Sequence, residues 1–164
     1  MRLVSALTFA LGGSALTCLV AFVLYLENIP DLSVWHTAVL DEEFTADSGL
    51  ATFEDYLLLE DRLFAQLDEE VYAKISPEDQ TDINRYHRGS HSDASDWPTN
   101  WNRSFELPHD DPQAGVLLLH GLSDSPYSLH SIAKDLSANG AWVLGLRIPG
   151  HGTAPSGLVH TRAV

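Results

Sequence analysis

The chain has 164 residues and a formal net charge of −14, from 23 Asp+Glu against 9 Lys+Arg, so nucleic acid, which requires clustered basic residues, is excluded as an expected partner. Hydrophobic residues make up 45%, which is typical of a folded chain and excludes disorder throughout. Cys18 is the one cysteine, so an internal disulfide and a cysteine-based zinc site are excluded as well.

The chain begins with an apolar segment. No charged residue occurs from Leu3 to Leu26. A helix of that length extends roughly 36 Å, which is enough to cross a hydrocarbon core of ~30 Å. We therefore predict an uncleaved membrane anchor over residues 1–27, in contact with the membrane through residues 3–26.

Two alternatives to an uncleaved anchor stay open. A cleaved signal peptide would have a shorter apolar stretch of about 7–15 residues and small residues before its cleavage site, and no A-x-A triplet is present here. Lipidation of Cys18 would leave eight further apolar residues where a soluble tether is expected. Because Arg2 is the local basic side chain, the positive-inside rule predicts a single-pass protein with a cytoplasmic amino terminus and the remainder periplasmic or extracellular.

Residues 28–103 are predicted to form an acidic, partly helical spacer. Thr52 is suited to cap a helix that ends near Ser76, and its apolar stripe recurs every four residues. The acids on the opposite face lack the alternating spacing of a calcium loop, so we predict a solvated face and no metal site. The stripe consists of Leu59, Leu63, Leu67 and Val71, and the acidic face of Glu60, Asp61, Asp68, Glu69 and Glu70.

Residues 104–164 have the pattern of an α/β domain. Ser104–Leu107 is predicted as a short strand, and the apolar run Gly115–Leu119 as a strand buried on both faces of a parallel sheet. A helix is predicted from Tyr127 to Ala138 and a second buried strand from Ala141 to Leu146. Strand, helix and strand with short connections indicate a right-handed βαβ unit.

Both buried strands run into short polar loops at their carboxyl ends, where such sheets place their sites. The loops are His120-Gly121-Leu122, followed by Ser125-Pro126-Tyr127-Ser128, and Arg147-Ile148-Pro149-Gly150-His151-Gly152. At these residues the chain resembles the α/β-hydrolase superfamily, and in particular the branch of monoacylglycerol lipases, serine aminopeptidases and bacterial carboxylesterases. The resemblance covers Ser104 to Val164, and it implies that this part is a truncated α/β-hydrolase domain.

The resemblance implies specific roles for the loop residues. The backbone N–H of Leu122 would be one of two oxyanion-hole donors, and preorganised donors of this kind stabilise a tetrahedral oxyanion by several kcal/mol. Gly121 would let the backbone pass close to the substrate carbonyl, while His120 and His151 would support the two loops. The nucleophile motif Gly-x-Ser-x-Gly occurs nowhere in the sequence. The resemblance therefore implies no catalytic residue in this chain.

These observations predict the N-terminal fragment of a membrane-anchored serine hydrolase, which cleaves a small-molecule carboxylic ester or a peptide through an acyl-enzyme. The triad is absent from this chain, so the chain alone is expected to be inactive. Serine hydrolysis requires no cofactor. The alternative is a non-catalytic, membrane-anchored binding module on the same scaffold. An anion cradle at His120–Ser125 is less favoured, because the loop lacks both a dinucleotide fingerprint and a phosphate-loop lysine.

Overall fold

The computed structural model describes residues 2–160. The chain divides into two compact units, of which the second begins at Ser33. The helices are α1 (Arg2–Glu27), α2 (Val34–Thr37), α3 (Phe53–Glu70), α4 (His130–Ala138) and α5 (Gly157–His160); the strands are β1 (Phe105–Leu107), β2 (Ala114–Leu119) and β3 (Ala141–Leu146). Short 3-10 turns lie at Ala46–Ser48, Tyr72–Lys74, Pro77–Asp79, Ala94–Asp96 and Pro126–Leu129.

Helix α1 accounts for the whole first unit apart from its last few residues. Its segment Val4–Glu27 contains an 18-residue window with a mean hydropathy of 2.1 and is long and apolar enough to cross a membrane. The helix ends where Asn28 donates its side-chain amide to the carbonyl of Leu24 at 2.7 Å. The predicted helix of membrane-spanning length is therefore confirmed.

Thr52 is the N-cap of helix α3, as predicted. The Thr52 hydroxyl accepts a hydrogen bond from the Asp55 N–H at 3.1 Å, and the Asp55 carboxylate accepts one from the Thr52 N–H at 3.0 Å. The Thr52 hydroxyl also donates to the Asp55 carboxylate at 2.8 Å, and this bond, followed by those from the Ala51 and Thr52 N–H groups, holds the pKa of Asp55 below its ordinary value. The predicted extension to Ser76 is wrong, because the α-helix ends at Glu70 and Tyr72–Lys74 is a 3-10 turn.

The apolar stripe of α3 forms the larger hydrophobic core of the second unit. Leu63, Leu67 and Val71 are almost completely buried. They pack with Tyr86, which lies in the same acidic segment (residues 28–103), and with Ala154, which lies in the chain that follows β3. The hydrophobic effect therefore fixes the acidic segment against the loop that carries part of the candidate site.

The prediction that Glu60 lies on a solvated face is wrong. Its side chain is 1% exposed, and it accepts hydrogen bonds from the backbone N–H and the hydroxyl of Ser104. The reason is positional, since Glu60 follows Tyr56 by four residues and precedes Leu63 by three, and residues so spaced share one helix face.

The sheet has three strands in the order β1-β3-β2. Strand β2 is parallel to β3, with Val116 opposite Val143, and β1 is antiparallel to β3, with Phe105 opposite Gly145. The predicted parallel arrangement of β2 and β3 is therefore confirmed, while β1 makes the sheet mixed. The connection between β1 and β2 reverses the chain, so that β1, at the edge of the sheet, runs opposite to its neighbour β3 and to β2.

The βαβ unit is present as predicted, with one difference at the start of its helix. The predicted helix from Tyr127 starts as the 3-10 turn Pro126–Leu129 and becomes α-helical only at His130. Its Ala133 packs against Ala141 and Val143 on one face of the sheet. At Gly145 a Cβ atom would lie 2.4 Å from the outer atoms of the Phe105 ring, so glycine leaves the space that this ring occupies.

The opposite face of the sheet is uncovered in the part of the chain that the structure describes. Leu117 and Leu119 of β2 are each more than half exposed, and Trp142 of β3 is also exposed. The prediction that β2 is buried on both faces is therefore wrong for these residues. An apolar strand with an open face and an open edge is normally covered by further strands or helices.

Candidate functional site

The loop after β2 places Leu122 at the carboxyl edge of the sheet. The N–H of Asp124 donates to the carbonyl of Gly121 at 3.3 Å, which closes a turn over Leu122 and Ser123. Ser123 has a φ of 63°, the one positive φ among the described residues other than glycine. A positive φ at the third position of a four-residue turn is the mark of a type II turn, and it costs a residue with a Cβ atom roughly 1–2 kcal/mol.

The Leu122 amide is free to bind an incoming group. Within residues 2–160 it donates to no acceptor and belongs to neither the helix that follows nor the β2–β3 ladder. The Leu122 side chain is 84% exposed. Leu122 therefore presents an unpaired backbone donor within an exposed turn at the carboxyl end of a parallel strand.

His120 connects the two loops. It is buried, its Nε2 accepts a hydrogen bond from the Ile148 N–H at 3.0 Å, and its Nδ1 lies 3.0 Å from the Gly121 carbonyl. Because the Ile148 N–H donates to Nε2, the proton is assigned to Nδ1, which donates to the Gly121 carbonyl. With both ring nitrogens engaged, His120 holds the Leu122 loop against the end of β3.

His151 lies directly beside His120, with their ring centroids 5.2 Å apart. Its Nδ1 lies 3.1 Å from the carbonyl of Pro149, and its Nε2 is buried without a partner in the described residues. Gly150 and Gly152 flank it with φ values of 76° and 72°, which only glycine adopts without strain. His151 thus lies inside the second loop rather than at its surface.

Arg147 follows β3 directly and its guanidinium is completely buried. Nη2 and Nη1 donate to the two carboxylate oxygens of Glu43 at 2.7 and 3.0 Å, and Nε donates to Glu60 at 2.9 Å. Nη1 also donates to the carbonyl of His151 at 3.1 Å. Burial alone would lower the pKa of Arg147, but the two carboxylates outweigh it and raise that pKa.

The Glu43 and Glu60 carboxylates also accept hydrogen bonds from backbone N–H groups. Glu43 accepts from the Gly150 N–H at 2.9 Å, and Glu60 from the Ser104 N–H at 3.0 Å. In addition, the Tyr56 hydroxyl donates to the Arg147 carbonyl at 2.9 Å, and its burial raises the pKa of Tyr56 to about 12. The acidic segment therefore fixes the conformation of the loop after β3, and through His120 the position of Leu122.

Ser125, Asp124 and Ser128 form the start of the next helical turn. The Ser125 N–H donates to the Asp124 carboxylate at 2.8 Å. The Ser128 hydroxyl and this N–H lower the pKa of Asp124. These residues stabilise the turn, and none of them lies on a strand–serine–helix elbow.

The structure brings together the predicted site residues His120, Gly121, Leu122 and His151. Sequence reasoning missed Glu43 and Glu60, which hold the second loop through Arg147. For Glu60 the signal was its helical spacing from Tyr56 and Leu63. Glu43 lies in irregular structure within an acidic run, and no local pattern distinguishes it from its neighbours. No group of three metal-binding side chains occurs among the described residues.

Comparison with protein-family models gives no match, and comparison with curated proteins gives none.

Proposed function

We propose that this chain is the N-terminal part of a membrane-anchored serine hydrolase with an α/β-hydrolase fold, and that Leu122 supplies one of its oxyanion-hole donors. The observation that carries this proposal is the unpaired Leu122 N–H at the carboxyl edge of the β2–β3 pair. The substrate is a carboxylic ester or a peptide, and the reaction passes through an acyl-enzyme. The anchor places the amino terminus in the cytoplasm and the hydrolase outside it.

The chain's own contribution to the reaction is electrostatic. When a serine attacks the substrate carbonyl, negative charge develops on its oxygen, and the Leu122 N–H would donate to that oxygen. His120 and the Arg147 ion pairs hold the donor in place beforehand, so that little reorganisation is required as the charge develops. The attacking serine, its histidine and the acid come from residues outside this sequence, and the uncovered face of β2 and β3 is a surface on which such residues can fold.

A proline substitution offers a sharp test of the Leu122 donor. Leu122→Pro removes the N–H, and proline suits the second position of a type II turn, so the loop conformation is retained. Leu122→Ala is the matched control, because it shortens the side chain and keeps the donor. In the hydrolase that contains this chain, we expect Leu122→Pro to lower kcat by about 10²–10³ and Leu122→Ala to lower it much less.

The existence of that hydrolase is tested first. An antibody against residues 33–103 captures the protein from detergent-solubilised membranes of the source cells, and a fluorophosphonate probe then labels active serines. We expect a labelled polypeptide larger than 18.0 kDa, while the purified 164-residue chain hydrolyses no p-nitrophenyl butyrate. Capture of the chain without any label would favour the non-catalytic binding module, for which the missing Gly-x-Ser-x-Gly motif is the supporting observation.

A further inference from the structure

Three of the four tryptophans of the chain line one open cleft in the second unit. Trp35, Trp97 and Trp101 border it, together with Tyr86 and Tyr127. Its volume is about 750 Å³, within the range of small-molecule sites. Trp35 and Tyr86 also belong to the adjacent hydrophobic core, whereas Trp97, Trp101 and Tyr127 lie outside it. Five aromatic rings around one opening offer flat apolar surfaces to a ligand.

The rings are held at different depths. Trp35 stacks on the buried Tyr86 at 5.3 Å between centroids, and Trp101 packs against the ring of His130 at 3.7 Å. Trp97 and Tyr127 are 64% and 60% exposed. The cleft therefore has a rigid aromatic wall and two exposed rings at its opening, which suits stacking against a ligand.

The polar part of the lining is neutral apart from one arginine. Amides and hydroxyls line the cleft between the rings, and the side-chain amide of Asn102 has no hydrogen-bond partner among the described residues. No carboxylate lines the cleft, although 21 of the 23 acidic residues of the chain lie between residues 27 and 111, the segment that builds most of it. A cation is therefore disfavoured as the ligand.

The single charged residue of the lining, Arg85, differs from the other arginines whose side chains the structure describes. Arg62, Arg88, Arg103 and Arg147 each form an ion pair with a carboxylate, whereas Arg85 forms none within the described residues. Its guanidinium lies 5.6 Å from the centroid of the Tyr86 ring. The chain has many carboxylates, yet Arg85 pairs with none of those that the structure describes. Because it lies beside an aromatic cleft, it is suited to bind an anionic group of a ligand.

We propose that this cleft binds a saccharide that carries a carboxylate, as uronic acids do. A sugar ring has C–H faces that stack on indole rings and hydroxyl edges that bind amides and hydroxyls, and this chemistry matches the lining. The carboxylate would bind the Arg85 guanidinium. Tyr127 follows the Leu122 loop and Pro155 follows the loop after β3, so the cleft lies beside the candidate site. The proposal does not depend on the hydrolase assignment.

The experiment is a binding titration of the full chain in phosphatidylcholine nanodiscs, which avoids sugar-based detergents. The probes are three tetrasaccharides, built of galacturonate, of mannuronate, and of alternating glucuronate and N-acetylglucosamine, each paired with its neutral methyl ester. Binding is read as a change in tryptophan emission. Trp97→Ala and Arg85→Gln are the test variants, and Trp142→Phe is the control because Trp142 lies on the sheet and donates to Glu106.

We expect saturable binding of at least one acidic tetrasaccharide, and binding weaker by about tenfold or more for its methyl ester. Arg85→Gln should abolish the difference between acid and ester, and Trp97→Ala should weaken both by about tenfold. Trp142→Phe should bind as the unsubstituted chain does. Unchanged urea unfolding midpoints show that each variant is folded.

The proposal is overturned if none of the three acidic probes binds up to about 10 mM. It is also overturned if acid and ester bind equally, if Arg85→Gln leaves the affinity unchanged, or if a proline-rich peptide binds the cleft in place of every sugar. Labelling of the captured protein by fluorophosphonate bears only on the hydrolase, so the two proposals can fail separately.

Discussion

Replacing Arg147 with methionine removes the cation from the centre of the second unit while keeping a long apolar side chain. Four side-chain hydrogen bonds are lost, three of them to the carboxylates of Glu43 and Glu60. Both carboxylates stay buried and keep only their N–H and hydroxyl donors. The substitution therefore leaves two negative charges in the interior without a positive partner.

The expected loss in the free energy of unfolding depends on whether the two carboxylates stay charged or take up a proton. Breaking a buried ion pair by removing one partner costs about 3–5 kcal/mol. An orphaned carboxylate limits its own penalty by taking up a proton, which costs an ordinary glutamate about 3–4 kcal/mol at pH 7 and about 1 kcal/mol at pH 5. We therefore expect Arg147→Met to lose about 3–5 kcal/mol at pH 7, and that loss to shrink by about 2 kcal/mol or more at pH 5.

Urea unfolding of the full chain in nanodiscs, followed by tryptophan emission, measures the free energy of unfolding at both pH values. Arg62→Met is the matched control, because Arg62 pairs with Glu42 at the surface and such pairs contribute about 0–1 kcal/mol. A loss below about 1 kcal/mol for Arg147→Met, or an equal loss at pH 7 and pH 5, would refute the electrostatic reasoning, since lost packing does not vary with pH.

Two further substitutions test local features. Ser123→Gly should raise the free energy of unfolding by about 0.5–1 kcal/mol in urea titrations, because glycine adopts the positive φ of this turn without strain; no gain would mean that the turn is not strained. Tyr56→Phe should cost about 1 kcal/mol through the lost hydrogen bond to the Arg147 carbonyl. The pKa values of Tyr56 and Tyr86 are both raised to about 12, so each phenol contributes stability that is present below pH 10 and is lost between about pH 10 and 12. Absorbance at 295 nm measures the ionisation of these phenols, and ionisation of both near pH 10 would contradict the prediction.

Helices and strands that depend only on residues close together in the sequence were predictable. The uncharged run of α1, the Thr52 cap with its stripe in α3, and the apolar runs of β2 and β3 each determine a helix or strand without reference to distant residues. The two loops where β2 and β3 end were predicted because such sheets place their sites at the carboxyl ends of their strands. The roles of His120, Leu122 and His151 in those loops were implied only by the resemblance to the α/β-hydrolase superfamily.

Other features depend on residues far apart in the sequence. Glu43 meets Arg147 across 104 residues, and Glu60 meets it across 87. Whether a carboxylate is solvated or buried depends on the groups that fold against it, and a local pattern contains no information about them. The cleft of Trp35, Trp97 and Trp101 likewise exists only after folding.

The amino-acid sequence alone determined the apolar helix, the βαβ unit and the two loops, because each follows from periodicity and turn chemistry over a few residues. The tertiary structure decided that β1 runs antiparallel, that residues 2–160 leave one face of the sheet uncovered, and that Arg147 is neutralised by Glu43 and Glu60. These outcomes depend on which surfaces meet, and a buried charge is tolerated only where the fold brings it a partner.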